Sequence, residues 1–239
     1  MTIIDYFERT SIINLPERAD RRAETRDEFN RAGWPIENKK ADFFTAIRPE
    51  TPAGFPSAGV KGCFLSHMNA IKKARNDNLA NILIMEDDIA FISDINRIAA
   101  EALQELDLVN WGFLYLGYEY ISDFSSGKRL ERTTEPMRGK YFYAINSKIF
   151  DRFLEFLEQV LERPPGHPDG GPMYYDGALS TFQMQNRDIN TFVVVPCLSY
   201  QRSSRSDLHP TSLLDELSLL TPFAAGFRRV KNILKRSTK

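Results

Sequence analysis

The sequence predicts an α/β protein: a mostly parallel central sheet flanked by helices on both faces. Three observations predict it. Apolar runs such as Asn81-Ile82-Leu83-Ile84-Met85 and Phe113-Leu114-Tyr115-Leu116 are nearly continuous rather than alternating, which suits strands buried on both faces. Other segments carry apolar residues at helical spacing, as in Phe64, Leu65, Met68, Ile71 and Ala74. The two patterns alternate along 239 residues, a length at which one domain is the default.

Taken in order, Ser11-Ile12-Ile13-Asn14-Leu15 is a first strand, stopped by Pro16. Asp20 is placed to cap a polar helix over 21–32, closed by Gly33 and Pro35. A loop rich in Pro and Gly then leads to Gly62 and a helix over 63–76. The strand at 81–85 ends abruptly in Glu86-Asp87-Asp88. Asp94 opens an amphipathic helix with Ile95, Ile98, Ala99, Ala102, Leu103 and Leu106 on one side. Gly117 ends the strand at 113–116. Tyr141 to Ile145 reads as strand, and Asn146 or Ser147 caps a helix carrying Ile149, Phe153, Leu157 and Val160. A second Pro/Gly loop precedes Asp176 at a helix start, and Thr191 to Val195 is a β-branched strand closed by Pro196.

Composition sets outer bounds. Hydrophobic residues make up 42% and charged residues 26%, as in ordinary globular proteins. The net charge of −1 gives no global argument for nucleic acid. Cys63 and Cys197 sit in apolar surroundings without metal-ligand spacing, and read as small buried hydrophobes in a reducing compartment. The first thirty residues include Asp5, Glu8, Glu17 and Asp20 and no apolar core of a signal peptide. No apolar stretch approaches the roughly 18 residues that a membrane helix needs. The expected location is therefore the cytoplasm.

The sharpest chemical signal is Glu86-Asp87-Asp88 after a buried strand. Adjacent carboxylates repel, and the carboxyl ends of strands form the ligand crevice of open α/β sheets. A Mg²⁺ or Mn²⁺ ion bridging to phosphate would neutralise the cluster, with Glu86 and Asp88 in alternate spacing. An acidic turn capping the next helix is the plainer alternative. Near the first strand, Asn14 could bond a base or ribose, and Arg18 in the turn could meet a diphosphate. Arg21, Arg22 and Arg26 read equally well as a solvated helix face. In Gly62-Cys63-Phe64-Leu65-Ser66-His67, His67 faces apolar neighbours, so it is a core residue or a hydrogen-bond partner of substrate. Asp176, after Tyr174 and Tyr175, is either a helix cap or a general base for an acceptor hydroxyl. The donor-rich run 201–209 offers Arg202 and Arg205 to phosphate oxygens and His209 to a metal.

In order along the chain, the segments I-I-N-L-P-E-R-A-D-R-R (12–22), G-C-F-L-S-H (62–67), I-L-I-M-E-D-D (82–88), W-G-F-L-Y-L-G (111–117) and Q-R-S-S-R-S-D (201–207) resemble glycosyltransferase family 25, the lipooligosaccharide-type transferases. The resemblance spans residues 11 to 209. It implies a GT-A type nucleotide-diphospho-sugar transferase fold and a UDP-sugar donor, often galactose, with inverting transfer to a glycan hydroxyl. On that analogy Glu86, Asp87 and Asp88 take the metal–diphosphate role, with His209 as a further ligand borrowed from GT-A enzymes generally. Asn14, Arg18, His67, Arg202 and Arg205 face the nucleotide sugar, and Asp176 is the leading base. The implied partners are a UDP-sugar and a glycan acceptor.

Residues 1–210 are expected to form one catalytic domain and 211–239 a basic helical tail. In that tail Phe223, Phe227, Val230 and Leu234 line up opposite much of the positive charge. The pattern suits either a helix lying on anionic lipid or one packed on the domain. Two rival readings stand beside the transferase. A metal-dependent phosphoesterase would want more ligands than three histidines supply. A catalytically silent glycan- or nucleotide-binding protein would bind a UDP-sugar without turnover.

Overall fold

The computed structural model describes residues 2–36, 40–119 and 127–202. A short helix α1 (Ile3–Tyr6) is closed at its start by a reciprocal Thr2–Asp5 cap. Strand β1 (Thr10–Asn14), wholly buried, leads into α2 (Ala19–Ala32) and β2 (Ala41–Thr45). Helix α2 begins two residues earlier than the sequence suggests. Arg18 is its N-cap, and Asp20 lies inside the first turn, receiving Arg18 Nε and Nη2 at 3.0 and 2.9 Å instead of capping. That bidentate pairing holds the Asp20 carboxyl down at about 2. Gly33 closes α2 at φ +71°, the left-handed conformation that favours glycine.

The chain continues through α3 (Ala58–Asn76), β3 (Asn81–Glu86), β4 (Ile89–Phe91), α4 (Ile95–Leu106), β5 (Phe113–Glu119), β6 (Leu130–Thr133) and β7 (Arg138–Asn146). A single 3₁₀ turn (Ser147–Ile149), capped by Asn146, feeds α5 (Phe150–Glu162). Helix α6 (Tyr175–Gln185), β8 (Thr191–Val194) and β9 (Ser199–Gln201) complete the described elements. The sequence reading placed most of the longer elements within a few residues. It passed over α1, β2, β4, β6 and β9, which are too short or too polar to show a period.

Seven strands form the main sheet in the order β2-β1-β3-β7-β5-β8-β6. Strands β1, β2 and β3 run parallel, β7 runs against β3 and β5, β8 is parallel to β5, and β6 is antiparallel to β8. Five strands thus share one direction and two oppose it. The predicted α/β class with a mostly parallel sheet is what the structure shows.

Successive side chains feed opposite cores, as the two-residue period of a strand requires. From β3, Leu83 and Met85 enter the layer under α1, α2 and α4, with Phe7, Phe29, Trp34 and Leu103. Ile82 and Ile84 enter the layer under α3, α5 and α6, with Phe64, Ile71, Phe153 and Phe182. This double burial is why the run 81–85 is continuous in apolar residues.

The connections explain where a site can form. The β1–α2–β2 crossover covers one face, and β2–α3–β3 returns over the other, so the connections leaving the carboxyl ends of β1 and β2 part to opposite faces beside the paired β1 and β3. Such a reversal leaves a crevice at that edge of an α/β sheet. A second, two-stranded sheet pairs β4 with β9 antiparallel, with Ile89 opposite Gln201. It brings the end of the described chain back beside the carboxyl end of β3. Among the described residues, no helix is long and apolar enough to cross a membrane.

Candidate active site

A cavity of about 530 Å³ occupies that crevice, within the size range of ordinary ligand pockets. Its walls come from the end of β1 (Ile13, Leu15), the segment after β2 (Ala46 to Pro49), the first half of α3, the end of β3 and the end of β9.

The Gly62-to-His67 motif accounts for one wall residue by residue. A Cβ on Gly62 would run into the Ile47 carbonyl oxygen, so only glycine lets α3 approach the loop after β2. Ser66 Oγ receives the Ile47 N–H at 2.8 Å and donates to Gly62 O at 2.6 Å, pinning the same loop. Phe64 fills the core at 0% exposure, whereas Cys63 and His67 line the cavity.

His67 is both core and cavity wall. It is 1% exposed and stacks on Tyr175 with ring centroids 4.3 Å apart. Its Nδ1 lies 2.7 Å from Tyr143 Oη, which itself donates to Tyr175 Oη at 2.9 Å. Tyr143 Oη is placed to accept an Nδ1–H, the tautomer that leaves the Nε2 lone pair toward Glu86. Burial pushes the His67 pKa down to about 3, so the ring is neutral at physiological pH. Nε2 stands 3.8 Å from Glu86 Oε1.

The three consecutive carboxylates are not equivalent. Asp87 turns toward α2, where Oδ1 receives Arg21 Nη1 at 2.9 Å and Oδ2 receives Asn14 Nδ2 at 2.7 Å. Glu86 turns toward α3 and meets Gln201 Nε2 at 3.3 Å. Asp88 Oδ2 lies 3.6 Å from Arg21 Nη1, while its Oδ1 is buried with no hydrogen-bond partner among the described residues. Burial, then the charges of Asp176 and Asp87, push the Glu86 carboxyl up to about 8. Burial, then Glu86, push Asp88 up to about 7. Both would ionise more readily beside a cation.

Arg202 completes the far wall. Its backbone N–H donates to Asp88 O and its Nη2 to Asp87 O, each at 2.6 Å, and Nη2 also lies 3.3 Å from Glu24. Its Nε is buried and lacks a partner among the described residues. Asp88 and Arg202, which carry one orphaned acceptor (Oδ1) and one orphaned donor (Nε) among the described residues, both line this cavity. That donor set fits a divalent cation on the acidic side and an anionic oxygen on the basic side.

Other expected site residues lie elsewhere. Asn14 is 1% exposed, and its amide is saturated. Nδ2 donates to Asp87, and Oδ1 receives Arg22 Nε and Nη2 at 3.1 and 2.9 Å. Its Nδ2 supports the Asp87 carboxylate. Arg18 pairs with Asp20 and is not a cavity residue. The sequence reading offered Asp87 as a metal ligand, but both its oxygens are engaged by Arg21 and Asn14. Arg205, His209 and the tail 211–239 lie outside the described residues. Arg21, Gln201, Tyr143 and Tyr175 were missed or undervalued, because each acquires its role from partners far away in the chain. Cys63 was read as an inert hydrophobe, and the structure places it in the cavity wall.

Asp176 is not a wall residue of this cavity. It lies in the first turn of α6, where Oδ2 accepts the Gly139 N–H at 2.7 Å and Oδ1 the Lys140 N–H at 3.1 Å. The Lys140 ammonium, 1% exposed, donates to Met137 O, Asp176 O and Ser180 Oγ at 2.7, 2.9 and 2.6 Å. Burial lowers its pKa from 10.5 to about 8, partly offset by the Asp176 charge. Between those two values the unfolded chain binds more protons than the folded one, so this lysine makes stability rise with pH. From pH 7 to pH 9 the native chain should gain about 1 kcal/mol relative to Lys140→Met. Urea unfolding of both proteins at the two pH values measures the difference. An equal change in both would remove Lys140 as its source.

The sequence model of glycosyltransferase family 25 (LPS biosynthesis protein) matches residues 7–160 of this chain. The chain belongs to glycosyltransferase family 25. The matched stretch carries Cys63, His67 and Glu86 to Asp88, whereas Asp176 and Arg202 of this family 25 chain lie beyond it. A relative from Aedes aegypti, a glycosyltransferase 25 family member, is 24% identical over 176 residues. That alignment takes in 64% of this chain and 28% of the mosquito protein, so the chain spans under a third of its relative. Among solved structures, similarity extends to a Drosophila β-1,4-galactosyltransferase 7 variant complexed with manganese, UDP-Gal and xylobiose. Identity there is 10% and the TM-score 0.42, over 87% of this chain and 78% of that one. A glycosyltransferase involved in glycosylation of the major capsid of PBCV-1 gives 9% and 0.36, over 79% and 93%.

Proposed function

We propose that this family 25 chain is a GT-A type glycosyltransferase. It moves a sugar, galactose on the family resemblance, from a UDP-sugar to a hydroxyl of a lipooligosaccharide, polysaccharide or other glycan. Transfer uses Mn²⁺ or Mg²⁺ and inverts the anomeric centre. The observation that carries this reading is that Asp88 and Arg202, each with a buried side-chain polar atom lacking a partner among the described residues, line one cavity at the carboxyl ends of β1 and β3.

Glu86 and Asp88 are the residues that would hold the cation, which when bound neutralises charge building on the departing diphosphate. Arg202 donates from Nε to a phosphate oxygen while its Nη2 stays anchored on Asp87 O. Because that anchor is already in place, little reorganisation is needed as charge develops. Asp176 takes the proton of the acceptor hydroxyl, its carboxylate held in one orientation by the N–H groups of Gly139 and Lys140. Action at the cytosolic face of a membrane, with residues 211–239 touching anionic lipid, rests on the charge pattern of that segment alone.

The test is UDP release from a panel of UDP-sugars with and without Mn²⁺, then transfer to a glycan acceptor by Asp176→Asn. Metal-dependent release from one donor supports the reading, and no metal-dependent UDP affinity at all sinks it. Asp176→Asn should slow transfer about 100-fold or more with UDP affinity retained. Parallel loss of UDP affinity would instead make Asp176 a structural anchor for the Gly139 turn.

A further inference from the structure

We propose that Cys63 Sγ, His67 Nε2 and Glu86 Oε form a second cation site on the α3 side of the cavity, built for a thiophilic divalent ion such as Zn²⁺. Cys63 and His67 are one helical turn apart on α3, and Glu86 faces them from the end of β3. Their ligand atoms all lie within 4.8 Å of one another. Mutual separations of that order need only small side-chain adjustments to surround one ion. The donor set is sulfur, nitrogen and oxygen, which zinc accepts in tetrahedral sites and Mg²⁺ does not favour.

The support around the histidine argues the same way. Metal-binding imidazoles are usually fixed by a hydrogen bond at the other ring nitrogen. His67 has that bond, from Nδ1 to Tyr143 Oη at 2.7 Å, and the stacked Tyr175 ring limits rotation. Nε2 is therefore presented as a lone pair on the side where Glu86 stands. All three residues also line the cavity, so an ion and a fourth, exchangeable ligand can reach them. On binding, the thiol proton leaves to solvent and the thiolate becomes the ligand, with no change in oxidation state. Glu86 belongs to this site and to the oxygen-rich site with Asp88, so zinc and Mn²⁺ compete for one carboxylate.

The experiment uses the full chain, without donor or acceptor, so its result stands whether or not the chain transfers sugar. Zn²⁺ affinity is measured by competition with a chromophoric chelator in excess Mg²⁺, and Co²⁺ is added separately as a spectroscopic probe. One tight Zn²⁺ per chain is expected, together with a thiolate-to-cobalt charge-transfer absorption in the near ultraviolet. Cys63→Ser should abolish that absorption and weaken Zn²⁺ by about 100-fold or more, a larger loss than outer-sphere changes cause. Absence of zinc binding, cobalt binding without the thiolate band, or unchanged affinity in Cys63→Ser would each overturn the proposal. The native spectrum alone decides the sulfur ligand if the variant folds poorly.

Discussion

Asp88→Ala is expected to reduce metal-dependent UDP release from the preferred donor by about 100-fold or more, since even outer partners of a metal site cost 10- to 100-fold. The residue supplies the one buried carboxylate oxygen at the site that no described protein group satisfies. In the native chain, Mn²⁺ with UDP should raise the thermal midpoint, because a ligand bound only by the folded state stabilises it. In Asp88→Ala that increment should vanish. Without metal the variant should melt no earlier than the native chain, because it removes a carboxyl that burial and Glu86 already hold in a poor environment for charge. Turnover and a metal-induced shift at native levels in the variant would take Asp88 out of the site.

At the ion pair of Asp87, the neighbour of Asp88, the opposite result is expected. Arg21→Met should destabilise the fold by about 3–5 kcal/mol, the usual cost of removing one partner of a buried ion pair. Arg21 and Asp87 side chains are only 11% and 7% exposed and meet at 2.9 Å. Losing the guanidinium leaves a buried carboxylate whose side-chain oxygens, among the described residues, are supported by Asn14 alone. The backbone carbonyl of Asp87 is separately held by Thr25 Oγ1 and Arg202 Nη2, so the strand end should stay in place while the charge goes uncompensated. Urea unfolding gives the number, and the double variant Arg21→Met with Asp87→Leu should recover much of it, as hydrophobic replacement of a whole pair often does. A loss below about 1 kcal/mol would mean that water reaches Asp87 and the pair behaves as an exposed one.

The contrast between Asp87 and Asp88 marks how far the sequence could be read. The continuous apolar run 81–85 points to a buried strand, and the three acids after it leave a ligand crevice and an acidic helix-capping turn both open. The sequence groups all three acids in one metal role, although β3 ends at Glu86 and Asp87 and Asp88 lie in the turn after it, where strand alternation does not set their direction. Their different partners were not legible. Arg21 comes from 66 positions away and Gln201 from 115, and no local pattern announces either. Asn14, expected at a nucleotide, is held in the structure by Asp87 and Arg22, partners that no local pattern announces.

By itself the sequence determined the α/β class, most of the longer elements, the family and the segment that carries the acidic cluster. These follow from periodicity and local chemistry, which neighbouring residues encode directly. Only the tertiary structure decided which carboxylate is neutralised and which is left open, that Cys63 and His67 share a wall with Glu86, and that β9 returns Arg202 to Asp88. Those outcomes depend on crossover paths and on the desolvation that packing imposes. A carboxylate costs little in water and much when buried, and the chain alone does not state which environment each one will meet.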